Sequence, residues 1–141
     1  MKTLMVFLST LFFSVSAIAA EIKVDMLNKD SNGNRMVYSE EIIRVDVGDT
    51  VTWLPTAKGH NVEFRAGPKG FKAPKKSKIG KEYSYTFDIP GVYAYWCTPH
   101  KSMGMIGLVV VGENLDNVEN IAKTRMFGRS KKKYKKLLGE L

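Results

Sequence analysis

One cysteine and two histidines are all that this sequence of 141 residues holds of those residue types. A single cysteine excludes a disulfide within the chain. Cys97 is left to bridge another molecule, to sit buried as a small hydrophobe, or to bind a metal. Three Cys and His residues in all also exclude a closed structural zinc site, which takes four such ligands. VYAYWC (92–97), with Tyr95 two residues before Cys97, has the look of an immunoglobulin strand, but no second cysteine stands upstream to complete that pattern. Acidic residues are scarce too: 14 Asp and Glu face 22 Lys and Arg, for a formal net charge of +8. No internal repeat is found. The length suits one domain with a real core and is too short for two comfortable ones.

The one long apolar run stands at the start. MKTLMVFLSTLFFSVSAIAA has Lys2, an apolar stretch from Leu4 to Phe13, and then small residues. Ala17-Ile18-Ala19 fits the small-x-small rule and places a cut before Ala20, with a cut before Glu21 as the alternative. A membrane anchor is the competing reading, but the small-residue end and the polar EIKVD after it favour a signal peptide over residues 1–19. The expected mature domain is 20–141, exported from the cytoplasm. The basic excess is uneven along it. Residues 114–141 carry eight Lys/Arg and three Asp/Glu, whereas 20–113 are nearly balanced at thirteen against eleven.

From Glu21 onward the chain reads as short strands with turn punctuation. EIKVDML (21–27) alternates Ile22, Val24 and Met26 with polar partners, and IIRVDV (42–47) alternates Ile43, Val45 and Val47 before Gly48-Asp49. TVTWL (50–54), EYSYTF (82–87), VYAYWC (92–97) and the wholly apolar MIGLVVV (105–111) complete an all-β pattern of sandwich or barrel type. Asn114 is placed to cap a helix bearing Leu115, Val118, Ile121 and Ala122. Ser130 is placed to cap a second, with Tyr134, Leu137, Leu138 and Leu141 on one side. Residues 65–81, with three glycines, two prolines and six lysines, predict a surface loop. KKKYKK (131–136) resembles a nucleic-acid patch, but lysines on the solvated face of an exported helix explain it better, so no nucleic-acid partner is expected.

The chemistry converges on CTPHKSMGM (97–105). Cys97 and His100 share one tight loop at a strand end, with Met103 and Met105 two and four residues beyond, and His60 follows the TVTWL strand. A lone buried Cys is ordinarily packing, and a lone His ordinarily a surface or satisfied core residue. Their joint use in a β domain points instead to a His2Cys plane with a weak methionine, the mononuclear blue-copper donor set. A catalytic zinc would want a nearby Asp or Glu as base, which the sequence does not place.

GDTVTWLPTAKGHNVE (48–63) with PGVYAYWCTPHKSMGMIGLVVVG (90–112) resembles the cupredoxins and, among them, the pseudoazurins, over essentially all of 20–140. The resemblance implies an eight-stranded Greek-key sandwich with two short C-terminal helices, and one copper ion cycling Cu(II)/Cu(I) on His60, Cys97, His100 and Met105. The four-residue spacing from His100 selects Met105; the shorter loop of amicyanins would select Met103. Asn61 is expected to offer its backbone N–H to the Cys97 sulfur and to tie the two ligand loops together. Pro99, having no N–H, withholds a second such bond. Gly104 and Gly107 are expected to let the backbone turn around the metal. Trp96 beside Cys97, and Lys101 where an aromatic or proline is usual, depart from the family pattern.

The implied activity is one-electron transfer rather than catalysis, because four protein ligands leave no place for a substrate. The implied donor is a c-type cytochrome, and the implied acceptor nitrite reductase or another periplasmic reductase or oxidase, met transiently by a monomer without membrane insertion. The exposed edge of His100 is the expected port. Lys58, Lys75, Lys76 and Lys101, with Lys69, Lys72 and Lys78, are expected to surround it and steer acidic partners. A periplasmic copper carrier is the alternative reading.

Overall fold

The computed structural model describes residues 18–141, so the expected signal segment, 1–19, lies outside the described residues except for Ile18 and Ala19. Eight strands run β1 (Glu21–Lys29), β2 (Arg35–Tyr38), β3 (Ile42–Val45), β4 (Thr50–Leu54), β5 (Glu63–Ala66), β6 (Tyr83–Thr86), β7 (Gly91–Trp96) and β8 (Ile106–Val111). Two helices come after them, α1 (Val118–Ala122) and α2 (Ser130–Gly139). The strands form two four-stranded sheets, ordered β2-β1-β4-β6 and β3-β8-β7-β5. β1 pairs with β4, and β3 with β8, in parallel; the other neighbours are antiparallel. No helix among the described residues is long and apolar enough to cross a membrane.

Strand alternation sorts the side chains into two cores. Val24, Met26, Val51, Trp53, Tyr93, Tyr95, Cys97 and Val109 point between the sheets. Their neighbours Val92, Ala94, Trp96, Ile106, Leu108 and Val110 point the other way, where Ile121, Met126, Tyr134 and Leu137 of the helical segment cover them. β7 and β8 are therefore buried on both faces, which is why MIGLVVV reads as a continuous apolar run. The same parity decides the site: Cys97 ends in the inter-sheet core, and Trp96 ends under the helices.

Several elements differ from the sequence expectation. β2 and β5 are additional strands, and β5 takes the start of the expected loop 65–81. That loop is not only surface: Ser77 is buried, its hydroxyl accepts from Val62 N at 2.8 Å, and its own N–H donates to Val62 O at 2.9 Å. Val47 lies beyond β3 and is exposed. α1 begins at Val118, not after Asn114, and Asn117 is drawn away from capping because its side chain bridges Val92 N and Val92 O, both at 2.8 Å. Ser130 opens α2 without a capping bond; its hydroxyl donates to Lys101 O at 2.6 Å instead. Gly107 lies inside β8 rather than in a turn, and a Cβ there would run into the Tyr95 ring.

Candidate metal centre

His60 comes from the segment between β4 and β5, and its backbone is fastened on two sides. Gly80 N donates to His60 O at 2.8 Å, and the buried Tyr38 hydroxyl donates to Asn61 O at 2.8 Å. Cys97 comes directly after β7, and a single 3-10 turn over Thr98–His100, with Pro99 as its second residue, carries His100 back above it. The loop then returns to β8 through Gly104, whose φ of 103° favours glycine, and Cys97 N donates to Met105 O at 2.9 Å.

Three donor atoms meet where these segments end. His60 Nδ1 and His100 Nδ1 are 3.1 Å apart, and the Cys97 Sγ lies 3.7 Å from the first and 3.4 Å from the second. A point equidistant from all three lies about 2.0 Å from each, close to the ~2.0–2.3 Å of metal–imidazole and metal–thiolate bonds. Among the described residues these are the His, Cys and acidic side chains grouped tightly enough to hold an ion.

The protonation of the site suits a cation. His60 Nε2 donates to Asn28 Oδ1 at 2.8 Å, so the ring proton sits on Nε2 and Nδ1 turns a lone pair into the triangle. Burial, and then the neighbouring His100, hold the His60 imidazole below its ordinary value of 6.5, and burial does the same for His100. Both rings are thus neutral at pH 7. Burial pushes the Cys97 thiol up, and the backbone amides of Asn61 and His100 pull the other way. Pro99 has no N–H to offer the sulfur, and the next amide, that of His100, donates to Cys97 O at 3.1 Å.

Around the triangle, Asn61 joins the two ligand segments. Its Oδ1 accepts from Thr98 N at 2.8 Å, and its Nδ2 donates to Thr98 Oγ1 at 3.0 Å and to Ser77 O at 3.2 Å. His60 and Cys97 are fully buried, whereas His100 is partly exposed. Met105 is fully buried in the inter-sheet core beside Cys97, and Met103 is 39% exposed. Of the basic residues, Lys58, Lys75 and Lys76 are exposed and Lys101 is half-buried. Lys76 and Lys101 line one cleft with Arg65 and Arg125, over a floor of Trp96 and Phe127. Asn28 was not anticipated by the sequence, and neither was Glu63, a carboxylate bonded to both neighbours of Cys97.

Comparison with known proteins agrees with this geometry. Residues 24–112 match the family described as copper binding proteins, plastocyanin/azurin family. A pseudoazurin of Methylorubrum extorquens is 44% identical over 108 residues, 75% of this chain and 72% of that protein. The chain belongs to the pseudoazurins. A pseudoazurin of Paracoccus pantotrophus is 39% identical over 118 residues, 82% of this chain and 80% of its own. The crystal structure of the pseudoazurin from Methylobacterium extorquens AM1 superposes with a TM-score of 0.78 at 38% identity, covering 85% of this chain and 98% of that one. Pseudoazurins are copper proteins of electron transfer, and His60, Cys97 and His100 are positioned here to form the copper site.

Proposed function

We propose that this chain is a periplasmic one-electron shuttle, with a single copper held by His60, Cys97, His100 and Met105. The observation that carries the reading is the Nδ1–Sγ–Nδ1 triangle, whose imidazole partner Asn28 leaves His60 Nδ1 unprotonated. Full burial of Met105 and exposure of Met103 support Met105 as the methionine ligand. Copper bound there supplies the Cu(II)/Cu(I) couple, which a donor set of two imidazoles, a thiolate and a thioether accommodates in both states.

The chain's own residues do the rest. Asn28 holds the His60 tautomer, and Asn61 fixes one ligand segment against the other, so the donors keep their places whichever charge they face. Burial of His60 and Cys97 keeps water from the donors, while His100, at the protein edge, gives a partner its closest approach. Residues 1–19 serve as the signal for export, and 20–141 are the mature domain, acting as a monomer. Lys58, Lys75, Lys76 and Lys101 steer acidic redox proteins: a c-type cytochrome or similar donor, and nitrite reductase or another periplasmic reductase or oxidase as acceptor.

The test is the visible spectrum of the Cu(II)-loaded protein with Met105→Gln, Met103→Gln and Cys97→Ser. An intense thiolate-to-copper band is expected, bleached by reductant, altered by the Met105 change and abolished by the Cys97 change. An effect of the Met103 change alone would move the axial ligand. A colourless protein that surrenders its copper to a chelator would replace the shuttle with the copper carrier.

A further inference from the structure

Glu63 stands opposite Trp96 in the β5–β7 ladder, and its carboxylate reaches both residues that flank the thiolate ligand. Oε2 accepts from Trp96 Nε1 at 2.7 Å and from Thr98 Oγ1 at 2.8 Å, and Oε1 pairs with Arg65 Nη1 at 2.9 Å. Cys97 is thus the middle residue of a three-residue bracket whose two outer members are tied to one anion. The bracket also has a direction. Because Glu63 is an acceptor, Thr98 spends its only hydroxyl proton on it, and the Thr98 oxygen is left to accept from Asn61 Nδ2. That orients the Asn61 side chain with Oδ1 toward Thr98 N, tying the His60 segment to the residue after Cys97.

We propose that Glu63 is a positioning residue of the copper centre that also sets its oxidation-state preference: a fixed anion beside the thiolate strand favours Cu(II) over Cu(I), and Arg65 moderates it. The proposal rests on the copper reading of the site. Its physical basis is simple electrostatics. Oxidation adds one positive charge to the centre, and a nearby anion whose screening by water is restricted stabilises the more positive state. Glu63 is only 21% exposed, and Arg65 lies across its outer side with the guanidinium 4.4 Å above the Trp96 ring. Burial alone would raise the Glu63 carboxyl, but the bonds from Trp96 and Thr98 and the Arg65 charge outweigh it and hold it below its ordinary value. The anion is present throughout the neutral range. It is not itself a ligand, since its oxygens are already engaged.

The experiment measures the reduction potential of the copper-loaded protein and of Glu63→Gln and Arg65→Gln, neither of which supplies a metal ligand. Glu63→Gln keeps an acceptor oxygen and removes the charge, so the equilibrium is expected to shift toward the reduced form by about three- to tenfold, tenfold being 59 mV for one electron. Arg65→Gln uncovers the anion and is expected to shift it toward the oxidised form. Opposite signs from two neighbouring neutral replacements do not arise from general loosening of the fold. A second readout needs no copper: the Trp96 indole N–H resonance of the metal-free protein should move upfield in Glu63→Gln, as its partner loses charge. The proposal is overturned if Glu63→Gln stays within twofold of the parent or shifts toward the oxidised form. Should that variant not fold, Arg65→Gln decides alone, an unmoved or raised potential overturning the assignment. Absence of the thiolate–copper band in the parent would instead refute the copper reading.

Discussion

Asn28 meets His60 from the end of β1, thirty-two positions earlier in the chain, and its carbonyl oxygen decides which ring nitrogen bears the proton. Without it, the neutral ring is free to place its proton on the nitrogen that faces Cys97 and His100. Asn28→Ala is therefore expected to lower copper affinity by about 10- to 100-fold, with Asn28→Asp, which keeps an acceptor, restoring most of it. Competition with a calibrated chelator measures this, and an affinity equal to the parent's would remove Asn28 from the site. The three ligands were legible in the sequence because they are its whole stock of histidine and cysteine, in a spacing that means little else. Asn28 was not, because one asparagine among many has no signature until the fold brings it to a ring nitrogen. Glu63 escaped for the same reason: its partners Trp96 and Thr98 lie more than thirty positions away.

α2 shows how an element can be found correctly for an incomplete reason. Its apolar face, Tyr134 and Leu137, was visible in the spacing and is buried as expected, but Ser130 at its start turns outward from the helix to the ligand loop. Three bonds join this helix and the turn before it to that loop: Ser130 Oγ to Lys101 O at 2.6 Å, Arg129 N to Ser102 O at 2.9 Å, and Lys133 Nζ to Gly104 O at 2.8 Å. Ser130→Ala is expected to destabilise the metal-free protein by about 1 kcal/mol through the lost bond. Ser130→Asp separates the two roles. Asp is as good a helix cap as Ser, yet it offers only acceptors to a carbonyl, so it should be worse than Ala; denaturant midpoints with Asp at or above the parent would restore the capping role. The strands that the sequence missed have local causes. β2 is four residues long, and its second, Met36, sits at a φ of 54°, which interrupts any alternation. β5 hides its pairing behind a register shift between Phe64 and Ala66.

For the molecule as a whole, the two cores and the charge on the imidazoles determine how stability varies with pH. His60 and His100 bind protons less readily folded than unfolded, because burial disfavours the cation and, for His60, so does His100. The unfolded chain gains protons first as the pH falls, so the metal-free protein should lose stability below the ordinary histidine value of 6.5, down through the lowered folded values. Melting temperatures measured from pH 8 to pH 5 are expected to be level above about pH 7 and to decline below it; a flat or rising profile would contradict neutral, buried imidazoles. At this scale most of the architecture was readable. Alternation gave a sandwich or barrel, the family resemblance chose the sandwich, and the doubly apolar β8 announced a covered outer face, whereas the sheet order depends on pairings that no single segment encodes. The pins from α2 to the ligand loop bear on the order of events in a newly made molecule. Asn28 near one end of the domain holds His60, and Lys133 near the other holds the loop that carries Cys97 and His100. A half-assembled chain has neither in place, so the ordered donor set is completed late, after distant segments have come together.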